Sequence, residues 1–443
     1  MSRRRRKKLP ADPIEFHIQS LSHEGRGIAD MEGKIVFVQG ALAGERVSAK
    51  LTKSVSRFAE ANTVEVFDAS EDRVEPPCPH ANICGGCSLQ HMDAGKQIEL
   101  KQNALLEQYQ HFGGIDSVPM RKPMLGPTLG YRRKARLAAK YVNKKECVLV
   151  GFREKGNSFV ADINQCAVLD PRVGLLITPL RELIAELSIR SAIPQIEVAA
   201  GDDEVILIFR VLETPNEQDL SKLDQFGETH SVRIYTQSGG PKTVVAINDK
   251  HHVERLYYSL PAHDCKFGFL PLDFTQVNAH INEQMVDLAL QLLDLNSQDR
   301  VLDLFCGLGN FTLPMARQCK QVVGVEGSEE MVKRGSENAL LNGISNTEFF
   351  AADLSKDIAG QPWFDGTYDK VLIDPPRSGA QAIIGPIAEL GAQRIVYVSC
   401  NPATLARDAG ELVKKGYRLI ETGVMDMFPN TGHVESIALF EKI

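Results

Sequence analysis

From Pro271 onward the sequence repeats one rhythm: an apolar strand, a short turn, then a helix-like segment. That alternation predicts an open, doubly wound parallel sheet. Its clearest unit is Val301-Leu-Asp-Leu-Phe-Cys-Gly-Leu-Gly-Asn-Phe311, a buried-strand pattern running into a turn. Gly307 and Gly309 in that turn let the backbone approach a ligand with no side chain in the way. The next strand, Gln321-Val-Val-Gly-Val-Glu326, ends in an acid at about the spacing at which such folds hold a ribose diol. A third, Phe349-Phe-Ala-Ala-Asp353, ends in an acid suited to the adenine side of a nucleoside. A dinucleotide fingerprint needs a third glycine three positions after Gly309, where this chain has Thr312, so a nicotinamide cofactor is disfavoured.

Later strands bring chemistry to the same edge. Val371-Leu-Ile-Asp-Pro-Pro-Arg377 places Asp374 before two prolines, which fix the carbonyls around it. Ile395-Val-Tyr-Val-Ser-Cys-Asn-Pro402 delivers Cys400 to a sharp turn at the carboxyl end of a strand, where open sheets bind ligands. A cysteine in an apolar run is ordinarily a small core residue. Here Asp374 upstream and His433-Val-Glu435 downstream make it part of a thiolate and carboxylate constellation.

A chain of 443 residues exceeds one ordinary core, so more than one domain is expected. The boundaries fall at 10–68, 74–262 and 271–443. No apolar stretch is long enough to span a bilayer, and Met-Ser-Arg-Arg-Arg-Arg-Lys-Lys is not a secretory signal, so a cytoplasmic location is expected. The net charge of -7 speaks against nucleic acid until its distribution is considered. Arg3 to Lys8 is a basic run, and Arg132, Arg133 and Arg136 form a second cluster, each a candidate phosphate contact or simply a solvated face.

Residues 13 to 68 read as short strands with closely spaced turns, a small β-barrel pattern. A helix-like stretch covers 93–110, and another lies near 171–189. Between barrel and helix stands Cys78-Pro-His-Ala-Asn-Ile-Cys-Gly-Gly-Cys87. Nine cysteines without a signal sequence argue for thiolates in chemistry or metal binding. Cys78, Cys84 and Cys87 want a fourth ligand, for which Cys166 is the best candidate and Cys147 the fallback; four thiolates suit zinc or an iron–sulfur cluster. The spacing is not that of radical S-adenosylmethionine enzymes.

The series Asp303-x-Phe-x-Gly-x-Gly, Glu326, Asp353 and Asp374-Pro-Pro resembles class I S-adenosylmethionine-dependent methyltransferases. Arg377 stands where amino-group methyltransferases usually carry a stacking aromatic. With Ser399-Cys-Asn-Pro-Ala-Thr-Leu-Ala-Arg-Asp408 and His433-Val-Glu435, residues 271 to 443 resemble the RNA uracil-C5 methyltransferase family. The resemblance implies Cys400 as the nucleophile that adds to uracil C6 and Glu435 as the base that removes the C5 proton. It implies Gln276, Phe305, Asn310, Glu326, Asp353 and Asp374 as contacts for S-adenosylmethionine.

The cysteine cluster resembles the [4Fe-4S] site of the ribosomal RNA enzymes, held by Cys78, Cys84, Cys87 and Cys166, although Ala167 stands where many relatives have proline. Residues 13 to 68 resemble a TRAM domain, an OB-like RNA-binding barrel. Barrel, cluster and methyltransferase in that order resemble the 23S rRNA (uracil-1939-C5)-methyltransferase family. The resemblance implies an unpaired or flipped uridine of 23S rRNA as substrate. No obligate protein partner or membrane is implied. The rivals are a sister uridine in rRNA or tRNA, a non-catalytic RNA-binding or assembly protein, and a redox protein built on the cluster.

Overall fold

The computed structural model describes residues 9–364 and 366–443, so the basic run Arg3 to Lys8 lies outside the described residues. The chain forms two compact units. The first runs to Asn103 and takes in Phe152–Asp162 and Phe428–His433; the second is Ala104–Gly151, Ile163–Met427 and Val434–Ile443.

In the first unit, six strands make one sheet: Ile14–His17, Ser20–Leu21, Gly27–Met31, Lys34–Gln39, Arg46–Ser54 and Phe58–Asp68. Alternation decides which side chains enter its core. Phe16, Val36, Val38, Val47, Ala49, Ala59 and Ala61 point inward, and the alanines suit a strongly curved, narrow interior. Lys34–Gln39 and Phe58–Asp68 pair in parallel, while the other pairings are antiparallel.

The second unit holds a mixed six-stranded sheet, a two-stranded ribbon (Leu256–Leu260 with Cys265–Phe269) and a seven-stranded sheet. The strands of the last are β1 (Arg300–Leu304), β2 (Gln321–Glu326), β3 (Thr347–Ala351), β4 (Lys370–Ile373), β5 (Arg394–Ser399), β6 (Tyr417–Met425) and β7 (Glu435–Lys442). Their order is β3-β2-β1-β4-β5-β7-β6. The first five run parallel, as the alternating pattern predicts, and β7 runs antiparallel between β5 and β6. Sequence order reverses at β1, whose neighbours are β2 and β4; that reversal opens the crevice in which such sheets bind ligands. The central strands are buried on both faces, Val371, Leu372 and Ile373 being fully enclosed, while the edge strand β3 is not.

Three of the helices around this sheet begin at side-chain caps. Asn278 accepts from the Ile281 amide, Ser328 from Met331, and Asn401 from Ala403 with Pro402 at the first helical position. The expected helix near 171–189 is two helices, Pro171–Gly174 and Ile177–Glu186. The Gly174 carbonyl turns aside to accept the Cys166 amide at 2.9 Å, which interrupts the ladder. The helix expected over 93–110 is Ala94–Gln108, followed by one wider turn, Tyr109–Gly113.

Candidate active site

At the end of β1 the backbone turns through left-handed conformations at Phe305 (φ 64°), Gly307 (φ 56°) and Gly309 (φ 97°). For Phe305, a residue with a Cβ, that conformation is strained, the kind of strain that surrounding structure maintains at ligand sites. Its amide and that of Cys306 both donate to the Val325 carbonyl, which fixes the bend against β2. Glu326, at the end of β2, accepts from the Gly307 amide (3.2 Å) and the Ser328 amide (3.1 Å), so its carboxylate stands beside the glycine turn. Asp353 follows β3 and accepts from Ser355 Oγ at 2.6 Å and from Lys356 Nζ at 3.1 Å. Those donors hold its carboxyl down at about 2.

Asp374 follows β4, and its amide donates to the Leu304 carbonyl across the crevice. Desolvation pushes its carboxyl up to about 7. A second acid, not singled out from sequence as a site residue, lies beneath the turn. Asp303 is fully buried in β1, takes a 2.5 Å hydrogen bond from Thr312 Oγ1, and its other oxygen has no partner among the described residues. Burial pushes it up to about 8, and the Asp374 and Glu326 charges push the same way. The sequence signalled it only as the first residue of the Asp303-x-Phe-x-Gly-x-Gly series, a carboxylate inside an otherwise apolar strand.

Cys400 follows β5, and the register of β5 with β7 pairs Ser399 with Ser436. Cys400 and Glu435 therefore leave adjacent strands at the same edge. The thiol is pushed up to about 11, chiefly by desolvation and then by Glu435 and Asp374, while the Arg377 guanidinium pulls the other way. These influences place a thiol, two carboxyl groups and a cation in one cluster. The structure thus brings together Phe305, Glu326, Asp374, Cys400 and Glu435 along one sheet edge.

Hydrogen bonds lock the two loops that carry Asp374 and Cys400. Asn401 Nδ2 donates to the Arg377 carbonyl (2.9 Å), and Arg407 Nη2 donates to the Ser378 carbonyl (3.0 Å). Asp408 is fully buried and accepts from the Ala380 amide and Tyr397 Oη, both at 2.7 Å, and from Arg407 Nε at 2.9 Å. Sequence reading passed over this brace.

The remaining candidates are placed differently. The Asn310 side chain is engaged within the protein: its Oδ1 accepts from Tyr258 Oη (2.8 Å) and Asn282 Nδ2 (3.0 Å), and its Nδ2 donates to Asn282 Oδ1 (2.9 Å). Gln276 is half-buried in a loop anchored by Asp273, which accepts from the Leu270 amide (2.7 Å) and Arg334 Nε (2.9 Å). Beside Phe305 opens a cavity of about 340 Å³ lined by Leu354, Ser355, Pro376, Gly379 and Gln381. Arg133 pairs with Asp202 (2.7 Å), Arg136 pairs with Glu197 (3.2 Å), and Arg132 Nε donates to the Lys134 carbonyl (3.0 Å).

Cys78, Cys84 and Cys87 lie in the first unit and Cys166 in the second. Among the described residues no group of three or more His, Cys, Asp or Glu side chains is close enough to hold a metal ion. The loop that carries the three cysteines is tightly wrapped. The Gly86 amide donates to Cys84 Sγ at 3.4 Å, and Lys155 feels the charges of Cys84 and Cys87. A Cβ on Gly85 would meet the Arg153 carbonyl at 2.9 Å, so the tight wrap requires glycine there.

The fold and the sheet edge define a class I methyltransferase, with an N-terminal TRAM domain matched by that family's model over residues 14–64. Residues 96–443 match the model described as tRNA (Uracil-5-)-methyltransferase. Proteins called 23S rRNA (uracil(1939)-C(5))-methyltransferase RlmD are similar over full length. Those of Alkalilimnicola ehrlichii and Alcanivorax borkumensis are each 54% identical over 440 residues, 99% of this chain and 99% of theirs. The Pyrococcus abyssi tRNA (uracil-54, C5)-methyltransferase, solved in complex with S-adenosyl-L-homocysteine, superposes with a TM-score of 0.74 at 25% identity, covering 96% of this chain and 99% of that one. The chain belongs to the tRNA (Uracil-5-)-methyltransferase family: it is an S-adenosylmethionine-dependent RNA uracil-C5 methyltransferase. No helix among the described residues is long and apolar enough to cross a membrane.

Proposed function

We propose that this enzyme methylates C5 of one uridine in 23S rRNA, with Cys400 as nucleophile and Glu435 as base. The observation that carries the mechanism is the β5–β7 register, which sets Cys400 and Glu435 side by side with Asp374 on the neighbouring strand end. The RNA target rests on the full-length relatives and their names.

Uracil C5 is a poor nucleophile until a thiolate adds at C6. The Cys400 thiol gives up its proton to solvent water as the base seats, leaving Glu435 unprotonated, and the thiolate sulfur bonds to C6 while the C5–C6 π pair moves toward the C4 carbonyl as an enolate. Asp374, pushed up to about 7, is partly protonated near neutral pH and can donate to the developing oxyanion. S-adenosylmethionine, when bound, supplies an electrophilic methyl group. After C5 has taken that methyl, Glu435 removes the C5 proton, the C5–C6 double bond re-forms and the Cys400 thiolate leaves.

Glu326 holds the ribose diol, Asp353 and the adjoining cavity take the adenine side, and Gln276 and Phe305 line the methionine end. Asn310 acts chiefly by stiffening the turn, since its amide is engaged with Tyr258 and Asn282. Cys78, Cys84, Cys87 and Cys166 would hold a [4Fe-4S] cluster, supported by the glycine wrap and the amide aimed at Cys84 Sγ. Its role is structural or in RNA docking, because methyl transfer moves no electron. The domains divide at 10–68, 74–262 and 271–443, and the enzyme works in the cytoplasm on unpaired or extruded uridine.

The test is transfer of labelled methyl to undermethylated 23S rRNA and to tRNA in parallel, followed by nuclease mapping. One 5-methyluridine in 23S rRNA is the expected result. Label in tRNA alone would overturn the target and align this chain with its archaeal structural neighbour.

A further inference from the structure

In the first unit, a cavity of about 200 Å³ lies against the parallel strand pair Lys34–Gln39 and Phe58–Asp68, and its lining includes Gln39, Asn62, Asn82, Gln90, His91 and Lys155. His91 is 93% buried by its 7% exposure, and its Nε2 has no hydrogen-bond partner among the described residues. A buried ring nitrogen facing polar neighbours without a partner is costly unless something fills the space. Burial holds the imidazole neutral, its pKa brought down to about 4, with Arg73 and Lys155 pushing the same way against Glu45.

The chemistry of the lining favours a neutral, planar occupant. Arg73 also borders the cavity, but its guanidinium is engaged by the fully buried Glu45 (2.5 and 2.7 Å) and the Gly40 carbonyl (2.8 Å). What remains are the amides of Gln39, Asn62 and Asn82, with Gln90 whose Oε1 accepts the Cys78 amide at 3.2 Å, and a neutral imidazole, set among apolar Val66, Pro76 and Ala81. Such groups pair with the edges and pack against the face of a base. Gln39, Asn62 and Lys155 also line a larger, open trough of about 380 Å³ whose lining includes Arg26. The Arg26 guanidinium lies over the Phe37 ring, 4.5 Å from its centroid, and pairs with Glu24 at 2.7 Å. The trough carries Arg26, Arg153 and Lys155 against Glu60 and Glu154, a slight cationic excess that a sugar–phosphate backbone can use, beside a cavity suited to a base.

We propose that these adjoining hollows take one unpaired nucleotide of the RNA substrate other than the methylated uridine, its base beside His91 and its phosphate toward Arg26 and Lys155. This inference rests on the RNA reading above and adds a second, base-reading subsite to it. Sequence selection then draws on the first unit as well as on the methyltransferase edge.

The test is a binding cycle by fluorescence anisotropy. Oligonucleotides from the 23S rRNA segment around the methylated uridine carry an abasic residue at each position in turn. Wild-type enzyme is expected to lose about tenfold in affinity at one non-target position, the scale of one lost hydrogen-bonded base. His91→Phe should lose a similar factor on intact RNA and nothing further at that position. Asn82→Ala, at an exposed residue that leaves the fold intact, should show the same non-additivity with a smaller loss. Intact-RNA affinity at wild-type level in both variants would overturn the subsite, as would abasic losses that persist in full. RNA bound with the expected pattern yet never methylated would instead overturn the target reading and leave the subsite standing.

Discussion

At the scale of single residues, the site is a matter of competing charges. Cys400 is desolvated and faces two acids, so the free enzyme keeps it as a thiol, up at about 11. Removing the Glu435 charge should lower that value, since a nearby anion disfavours the thiolate. Glu435→Gln is therefore expected to be alkylated by iodoacetamide severalfold faster than wild type at pH 8.5, and an unchanged rate would remove Glu435 from the thiol's surroundings. Cys400→Ala should lose methyl transfer entirely while S-adenosylmethionine still binds by calorimetry. Residual turnover would end the thiolate mechanism. Asp303 gives a pH prediction whose sign is opposite to that of a salt-bridged acid. Its folded value of about 8 lies above its ordinary 3.8, so its contribution to stability falls as pH rises through that window. Asp303→Asn should accordingly gain on wild type in thermal denaturation from pH 5 to pH 9, by more than ~1 kcal/mol at the upper end. A difference that does not grow with pH would contradict the buried, neutral acid. The acids Glu326, Asp353 and Asp374 were legible in the sequence because each stands where an apolar strand ends. Asp303 was legible only as part of a motif, since its burial and its Thr312 partner depend on the helix packed over the strand.

Among elements, the contact that matters most joins the helix Pro402–Lys414 to the turn Tyr109–Gly113. A Cβ on Gly410 would meet the Gly113 carbonyl at 2.7 Å, and a Cβ on Gly113 would meet the Ala406 carbonyl at 2.8 Å. Both are backbone contacts and cannot yield cheaply. Gly410→Ala should therefore cost ~1–3 kcal/mol in denaturant unfolding and loosen the helix that begins beside Cys400. A neutral effect would show that the approach is not close in solution. Strand and helix periodicity announced most of these elements from sequence alone. It did not announce that β7 runs antiparallel into the middle of the far edge, because pairing direction is set by the partner strand and not by local pattern. Yet that reversal is what places Glu435 next to Cys400. The broken helix near 171–189 has the same kind of cause, a carbonyl diverted to an amide eight residues earlier.

For the whole molecule, the chain is less linear than its motifs suggest. Phe152–Asp162 and Phe428–His433 fold with the N-terminal unit although hundreds of residues of the other unit surround them in sequence. Composition shifts and linkers cannot reveal such interleaving, because each segment is short and ordinary in content. The basic cluster at Arg132, Arg133 and Arg136 has partners that its sequence does not announce: the protein's own Asp202, Glu197 and Lys134 carbonyl, with Arg136 still 68% exposed. At this scale the cysteine proposal is tested by metal content. Anaerobically purified enzyme is expected to carry iron and sulfide, and Cys84→Ala to lose both along with its visible absorbance. Zinc in place of iron, or iron unaffected by that substitution, would contradict the cluster assignment.

The central claim is that Cys400 and Glu435 act in sequence on one uracil, and a stalled intermediate tests it most directly. Glu435→Gln, incubated with RNA substrate and S-adenosylmethionine, should accumulate a protein–RNA adduct that survives denaturing electrophoresis, with mass spectrometry placing a C5-methylated uracil on Cys400. Rapid turnover without an adduct, or an adduct on another residue, would contradict the account.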